Sequence, residues 1–453
     1  MTRSLPLLDP VVVRPVVNEP VPAEGACCAA CAAERAPTRP PLPVLQAARS
    51  ATIRGTDRRI TFAGVLAAAA ILGVAGLSAI GSLIGGTVWL PLHLAMAGAA
   101  GTAIAAVLPF FTTALVQVAP APVRLRIASI VLVAGGSILA GVGMQAAGSG
   151  VAVVGGVAYV SGLLAIAVAA FRPLRTALGF RFRLVHLAYA TALTQVGAGV
   201  ALATAMLAGW SPIVTSWVAL KPAHAWLNVF GFVTLVVAAS LVHLAPTVAG
   251  ARIRPRRSAD VALLSLIAGA PIVALGLATG WDPVARTGAV VELVGAVALF
   301  VHGVSIQRDR GAWTSDPGWH RFAGLSLVAA PAWLLVAVAI AGGGVLWLGA
   351  TPAAWSVTFL AVPLVAGGVG QILVGAWTHL VPAIGPGDQA RHARQRAVLG
   401  RLSYIRWVAW NGGVAIASIG VLAGAEALRF VGALVFGLSA VTSAILLVRS
   451  TRA

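Results

Sequence analysis

The chain has 453 residues, 59% hydrophobic and only 9% charged, with a mean hydropathy of +0.95. So little charge leaves the surface of a soluble domain of this length uncovered, which excludes a soluble enzyme and predicts a polytopic, all-α membrane protein. A formal charge of +19 would point to nucleic acid in a soluble chain, but its placement assigns it to membrane topology and leaves no nucleic-acid partner.

Residues 1–59 are rich in Pro, Ala and charge and read as a disordered cytoplasmic tail. The stretch VVVRPVV is too short for a signal peptide and is broken by Arg14 and Pro15. All three cysteines, Cys27, Cys28 and Cys31, lie in this tail as CCAAC. Thiolates at the Cys28/Cys31 spacing suit copper(I) or zinc. A stable zinc site takes four ligands, however, and no histidine is near in sequence, so an incidental motif is the alternative. With every cysteine on this side, no structural disulfide is expected.

About twelve spans follow, at 61–84, 89–118, 125–146, 150–170, 184–209, 223–249, 259–280, 285–306, 322–347, 355–384, 404–424 and 428–448. With the N-terminus inside, 28 of the 31 Lys and Arg residues fall on cytoplasmic segments, and only Lys221, Arg286 and Arg429 fall outside. That asymmetry satisfies the positive-inside rule and predicts both termini on the cytoplasmic side of a plasma membrane. The loops FRPLRTALGFRFR, ARIRPRRS and QARHARQRAVLGR are then topology signals with affinity for anionic lipid. Tryptophans near span ends, Trp89, Trp210, Trp217, Trp281 and Trp347 among them, fit an interfacial belt.

The spans fall into three groups of four, at about 60–170, 184–306 and 320–449. Second spans begin with WLPLHLAMAG, LKPAHAWLNVFG and ATPAAWSVTFLA, and end with LVQVAPAP, LVHLAPTV and WTHLVPAI. Aligned on Pro120, Pro246 and Pro382, these endings place Gln117, His243 and His379 at one position. First spans begin with RRITFAG, RLVHLAY and WHRFAGL, with His186 and His320 near the inner face of the second and third groups. Sites tend to form where such repeats meet.

Acid–base machinery within the membrane is sparse. Glu292 is the one carboxylate placed clearly inside a span, either a coupling residue or a hydrogen-bonded polar group facing the interior. Histidine is the informative type. His93 and His224 each follow a proline by two residues at the outer ends of equivalent spans. His224, Asn228 and Gly231 lie at i, i+4 and i+7, on one face of a helix. Below His93 come Ala97, Ala100 and Gly101, and small residues beneath an axial histidine leave room for a porphyrin face. The two histidines either hold a haem b between them or hydrogen-bond water and carbonyls near the interface. His243 lies 19 residues beyond His224, about 28 Å along the helix, so those two cannot share a metal. The inner histidines His186, His243, His302, His320 and His379 either bind copper or a second haem, with His243 and His379 the equivalent pair, or rest in the headgroup region. His392, in a basic loop, reads as solvated.

Twelve spans in three arcs, with histidines on spans two, six and ten, resemble the catalytic subunit of haem-copper oxidases and the NnrS-like family of haem- and copper-containing membrane proteins. PLHLAMAG, HAWLNVFGFVTLVV, LAPTV, GQILVGAWTHLVPAIGPGDQARHARQ and RWVAWNGGV (Arg406, Asn411) are similar, over roughly residues 60–425, to the membrane domain that precedes bacterial copper nitrite reductase-like or multicopper oxidase domains. By this resemblance His93 matches the low-spin haem position on span two and His224 the histidine of span six; nothing else carries over. Oxidases carry paired histidines on span seven, where this chain has none, and two haem ligands near the outer end of span ten, where it has Ala354, Trp355 and Ser356. The resemblance therefore implies haem or copper binding for electron transfer or nitric oxide and copper handling, without the binuclear oxygen-reducing site. It also implies that a copper oxidase or redox partner would be a separate polypeptide. A cofactor-free transporter of a small solute and a membrane anchor for a copper oxidase remain as alternatives.

Overall fold

The computed structural model describes residues 42–83, 88–177, 179, 182–311 and 319–453. Cys28, Cys31 and the side chain of His320 lie outside the described residues. The described chain is all-α, with no strand among those residues. Twelve helices are long and apolar enough to cross a membrane, which makes this a multi-pass membrane protein. Spans 1 to 6 are Thr52–Gly81, Trp89–Val116, Val123–Ala146, Ser149–Thr176, Arg183–Leu207 and Ser211–Ala249. Spans 7 to 12 are Arg257–Thr279, Asp282–Arg308, Arg321–Leu348, Pro352–Ile384, Ser403–Leu422 and Glu426–Arg452. Large apolar side chains such as Val131, Leu164, Leu264, Val294 and Leu438 point outward, whereas Thr102, Gln195, Glu292 and Gln371 are buried. Apolar groups face outward and polar groups inward, as a bilayer requires.

Two boundaries differ from expectation. The first helix begins at Leu42, so residues 42–59 of the expected tail are helical. Span 6 begins at Ser211 rather than 223 and runs for 39 residues. Pro222 is tolerated in the interior of the helix Ser211–Asn228. At 1.5 Å per residue such a helix is about 58 Å long, nearly twice a hydrocarbon core, so its first turns project beyond it.

Spans 2, 6 and 10 are each interrupted by a π-helical segment: Leu94–Ala100, Val229–Thr234 and Val362–Gly370. The first of these packs against both of the others. Spans 2 and 6 are also the most buried, at 78% and 67% of their apolar windows, which places them at the centre of the core. A π segment widens the turn and rotates everything beyond it, and such segments gather at functional positions. The closest helix pairs are spans 3–4, 7–8 and 11–12, each closed by glycine. A Cβ on Gly136 would stand 2.8 Å from the Gly155 oxygen, one on Gly288 2.9 Å from the Ile272 carbonyl carbon, and one on Gly413 2.8 Å from the Gly432 oxygen.

The proline register does not follow the expected groups of four. Pro246 and Pro382 lie inside helices. Pro120 lies beyond the end of its helix, and Gln117 caps that end in the left-handed conformation at φ 57°. Gln117 therefore does not share the helical setting that His243 and His379 have in common.

One buried ion pair fixes span 2 in place. Pro109 lacks an N–H, so the Ala105 carbonyl four residues back loses its helical partner. Arg126 of span 3 donates to it through Nη1 at 3.2 Å. The same guanidinium donates to the Ala106 carbonyl at 2.8 Å, to Thr61 Oγ1 at 2.9 Å and to Asp57 at 2.8 Å. Arg126 and Asp57 are 1% and 7% exposed. Removing one partner of such a pair costs about 3–5 kcal/mol, because the other charge stays buried.

Candidate functional site

His93 ends the first α-helical turns of span 2, immediately before its π segment. Its Nδ1 lies 2.9 Å from the Trp89 carbonyl, and the indole of Trp89 stacks on the ring at 4.0 Å. His224 sits in span 6, one turn before the Val229–Thr234 π segment. Its Nδ1 lies 2.7 Å from the Gly199 carbonyl of span 5. A carbonyl only accepts, so in both rings Nδ1 carries the proton and Nε2 the lone pair. Asn228 donates to the His224 carbonyl at 2.7 Å, and its amide lies against the imidazole. The two π segments touch.

The i, i+4, i+7 face of span 6 exists, but it packs on span 5 instead of opening on a gap. His224 and Asn228 both meet Gly199, and the space at Gly231 is filled by the amide of Gln195, one turn along span 5. Beneath His93, the space at Gly101 is taken by the hydroxyl of Tyr159, which donates to the Ala97 carbonyl at 3.2 Å. Each expected gap is therefore occupied by a neighbouring helix. Periodicity places residues on a face; it does not name what packs against that face. The donor set fits haem iron, since two imidazoles each hold Nδ1–H on a backbone carbonyl and leave Nε2 for a metal. The space next to Gly101 and Gly231 does not supply the porphyrin's cradle. Where the third group lacks a histidine, Trp355 packs edge-on against Trp226 at 5.9 Å and Phe230 at 6.0 Å. A cavity of about 540 Å³ lined by Gln117 and Thr176 lies at the other end of span 2 from His93.

At the arginine-rich end, His186 of span 5 and His243 of span 6 each lie about one turn from the Tyr189–Ser240 hydrogen bond that joins the two helices. Among the described residues no three His, Cys, Asp or Glu side chains gather as metal ligands would, so His379 does not complete a triad with them. His302 is buried and lies 3.4 Å from Ser258 Oγ. His392, expected to be solvated, is half-buried and donates through Nε2 to the Gly385 carbonyl at 3.2 Å. Glu292 is fully buried on span 8 against Gly269 of span 7, and neither carboxyl oxygen has a hydrogen bond of acceptable geometry. Arg406 and Asn411 tie helices together. The guanidinium donates to the Leu399 carbonyl at 2.6 Å and lies over Phe322, and Asn411 accepts from Trp333 Nε1 at 2.8 Å.

Sequence reasoning missed Gln195, Tyr159 and the Arg126–Asp57 pair. A lone glutamine in the middle of an apolar span is itself a signal, because buried amides in membranes are retained for a partner. The chain matches no protein-family model, and comparison with curated proteins finds no sequence match.

Proposed function

We propose that this chain is an integral redox protein of the plasma membrane that holds a haem b between His93 and His224, with both termini in the cytoplasm and its three groups of four spans as repeats. One observation carries the reading: two histidines flank π segments that touch, on the two most buried spans, each with its Nδ1 on a backbone carbonyl. That arrangement presents Nε2 in the basic form that a metal takes. Because Tyr159 and Gln195 fill the space beside Gly101 and Gly231, a porphyrin would have to lie against the two rings elsewhere than on those glycines; its iron would supply one-electron chemistry, which suits electron transfer or nitric oxide handling. Asn228 and Gly199 hold the His224 ring, and Trp89 holds that of His93. The resemblance to haem-copper oxidase and NnrS-like membrane proteins supports this reading, as does the absence of paired histidines on span 7, which argues for electron transfer rather than oxygen reduction. A separate copper oxidase is the redox partner that the resemblance suggests.

The test is haem content. Protein purified from haem-replete cells is expected to carry one haem per chain, and His93→Ala and His224→Ala are each expected to carry none. Haem retained by both variants would remove the reading. A second reading has its own observation, the fully buried carboxyl of Glu292, whose oxygens have no hydrogen bond of acceptable geometry. It makes the chain a cofactor-free transporter coupled through that group. Its signature is substrate flux that survives His224→Ala and fails in Glu292→Gln.

A further inference from the structure

The three π-helical segments are not held alike. In span 2 the segment Leu94–Ala100 is pinned from span 4, where Tyr159 donates to the Ala97 carbonyl at 3.2 Å. In span 10 the segment Val362–Gly370 is pinned from span 11, where Trp410 Nε1 donates to the Ala366 carbonyl at 2.9 Å. A π segment interrupts the α-helical ladder, and each of these donors serves a carbonyl inside the interruption. The segment Val229–Thr234 of span 6 has no such pin among the described residues. The two amides beside it donate elsewhere, Asn228 to the His224 carbonyl at 2.7 Å and Gln195 to the Ile267 carbonyl at 3.5 Å. Gln195 fills the space at Gly231 as a peg, without a bond to the segment. Unpaired polar atoms gather at the same place. Trp226 Nε1, Asn228 Oδ1, Gln195 Oε1 and Thr234 Oγ1 are buried with no hydrogen bond of acceptable geometry, against one such side chain beside each of the other segments, Thr102 and Gln371. A buried polar atom without a partner costs about 1–3 kcal/mol, so the observed register is least favourable in span 6.

A π segment has an α-helical alternative one residue away. Conversion would carry the stretch Ser211–Asn228 about 1.5 Å along the helix axis and about 100° around it. The contact with span 5 is built to let that stretch pass. A Cβ on Gly199 would stand 2.8 Å from Asn228 Oδ1 and one on Gly231 3.3 Å from the Gln195 Cβ, so both glycines keep the facing backbones free of side chains. Beyond the hydrocarbon core the same stretch is open, with Val214 and Val218 exposed. Conversion would take the His224 ring off the Gly199 carbonyl, 2.7 Å away in the observed register. Spans 2 and 10 would stay, held by Tyr159 and Trp410. We infer that span 6 is a two-register switch, whose π register seats His224 on Gly199 and whose α register withdraws it. Two packings within a few kcal/mol suffice, and anything that binds His224 in one register shifts the population towards it. The switch is independent of whether that histidine holds haem.

The experiment uses the full chain with Cys27→Ser, Cys28→Ser and Cys31→Ser, and spin labels at Thr215→Cys and Glu426→Cys, exposed positions at the His224 end of spans 6 and 12. Double electron–electron resonance in lipid nanodiscs reads the distance between the labels. Gln195→Ala removes the peg at Gly231, and Gly231→Ala puts a methyl group against it. Each should move the main distance by several ångströms, because a label on a helix about 10 Å across swings with a turn of about 100°. Tyr159→Phe, which unpins span 2, should leave the distance as in wild type. Thermal unfolding confirms that each variant is folded, and Gln195→Ala decides if Gly231→Ala is not. A wild-type distance in the folded variants overturns the switch. So does an equal shift in Tyr159→Phe, which would mark general loosening. Haem is assayed on the same samples: a colourless protein that switches removes the haem reading alone, and a haem protein locked in one register removes the switch alone.

Discussion

The two histidine pairs of span 6 share one helix and differ in how their rings are held. At one end, His224 and His93 both rest on carbonyls, with Asn228 and Trp89 packed beside them. At the other, His186 is held by the Phe182 carbonyl, while His243 has an aromatic edge and no hydrogen bond of acceptable geometry. The first pair is oriented as ligands in metal sites are oriented, by backbone acceptors that fix the tautomer before the metal arrives. The second is less constrained on the span 6 side and more deeply buried.

The largest effect should separate the pairs outright. His224→Ala should abolish the haem Soret absorption, whereas His243→Ala should leave it at wild-type intensity; equal loss in both would erase the distinction. Next comes the staple that positions span 2 and hence His93. Arg126→Ala leaves Asp57 buried without its partner and should lower stability by about 3–5 kcal/mol in detergent unfolding. A smaller effect is expected from Asn228→Ala, which removes the support of the His224 ring but not the ligand. Haem affinity should fall about 10–100-fold, the usual range for a partner that orients a ligand. An unaltered affinity would mean that the Gly199 carbonyl alone fixes the ring.

The smallest effect lies outside the membrane. A hydrogen bond from Arg256 and the charge of Arg254 hold the Asp309 carboxyl below its ordinary range, against the opposing effect of desolvation. Because the folded-state value is depressed, its contribution is present above the ordinary carboxylate value of about 4 and is lost as pH falls through the lower folded value. Wild type should therefore lose slightly more thermal stability than Asp309→Asn between pH 7 and pH 3, and an equal loss would show that the exposed pair contributes nothing.

The twelve spans were legible because lipid enforces apolar runs of fixed length. The π segments were not. Hydrophobic periodicity distinguishes 3.6 from 4.4 residues per turn only where polar residues mark a face, and Leu94–Ala100 and Val362–Gly370 have none. The face of His224 and Asn228 was readable from spacing, but its partner, Gln195 and Gly199 of span 5, was not. Aligning the spans on proline paired His243 with His379, while the bond between Tyr189 and Ser240 ties the helix turn before His243 to the preceding helix. Equivalent positions in repeats share a role in the pattern, and contact follows from antiparallel neighbours. The Arg126–Asp57 bond joins residues 69 apart, one read as a topology charge and the other as part of a tail, so nothing local announced it.

The most direct measurement is the optical spectrum of the purified protein, air-oxidised and then reduced with dithionite, with iron quantified on the same sample. A Soret band that sharpens on reduction, with distinct α and β peaks and one iron per chain, is the result that His93 and His224 as axial ligands require. A colourless, iron-free protein from haem-replete cells would contradict the account.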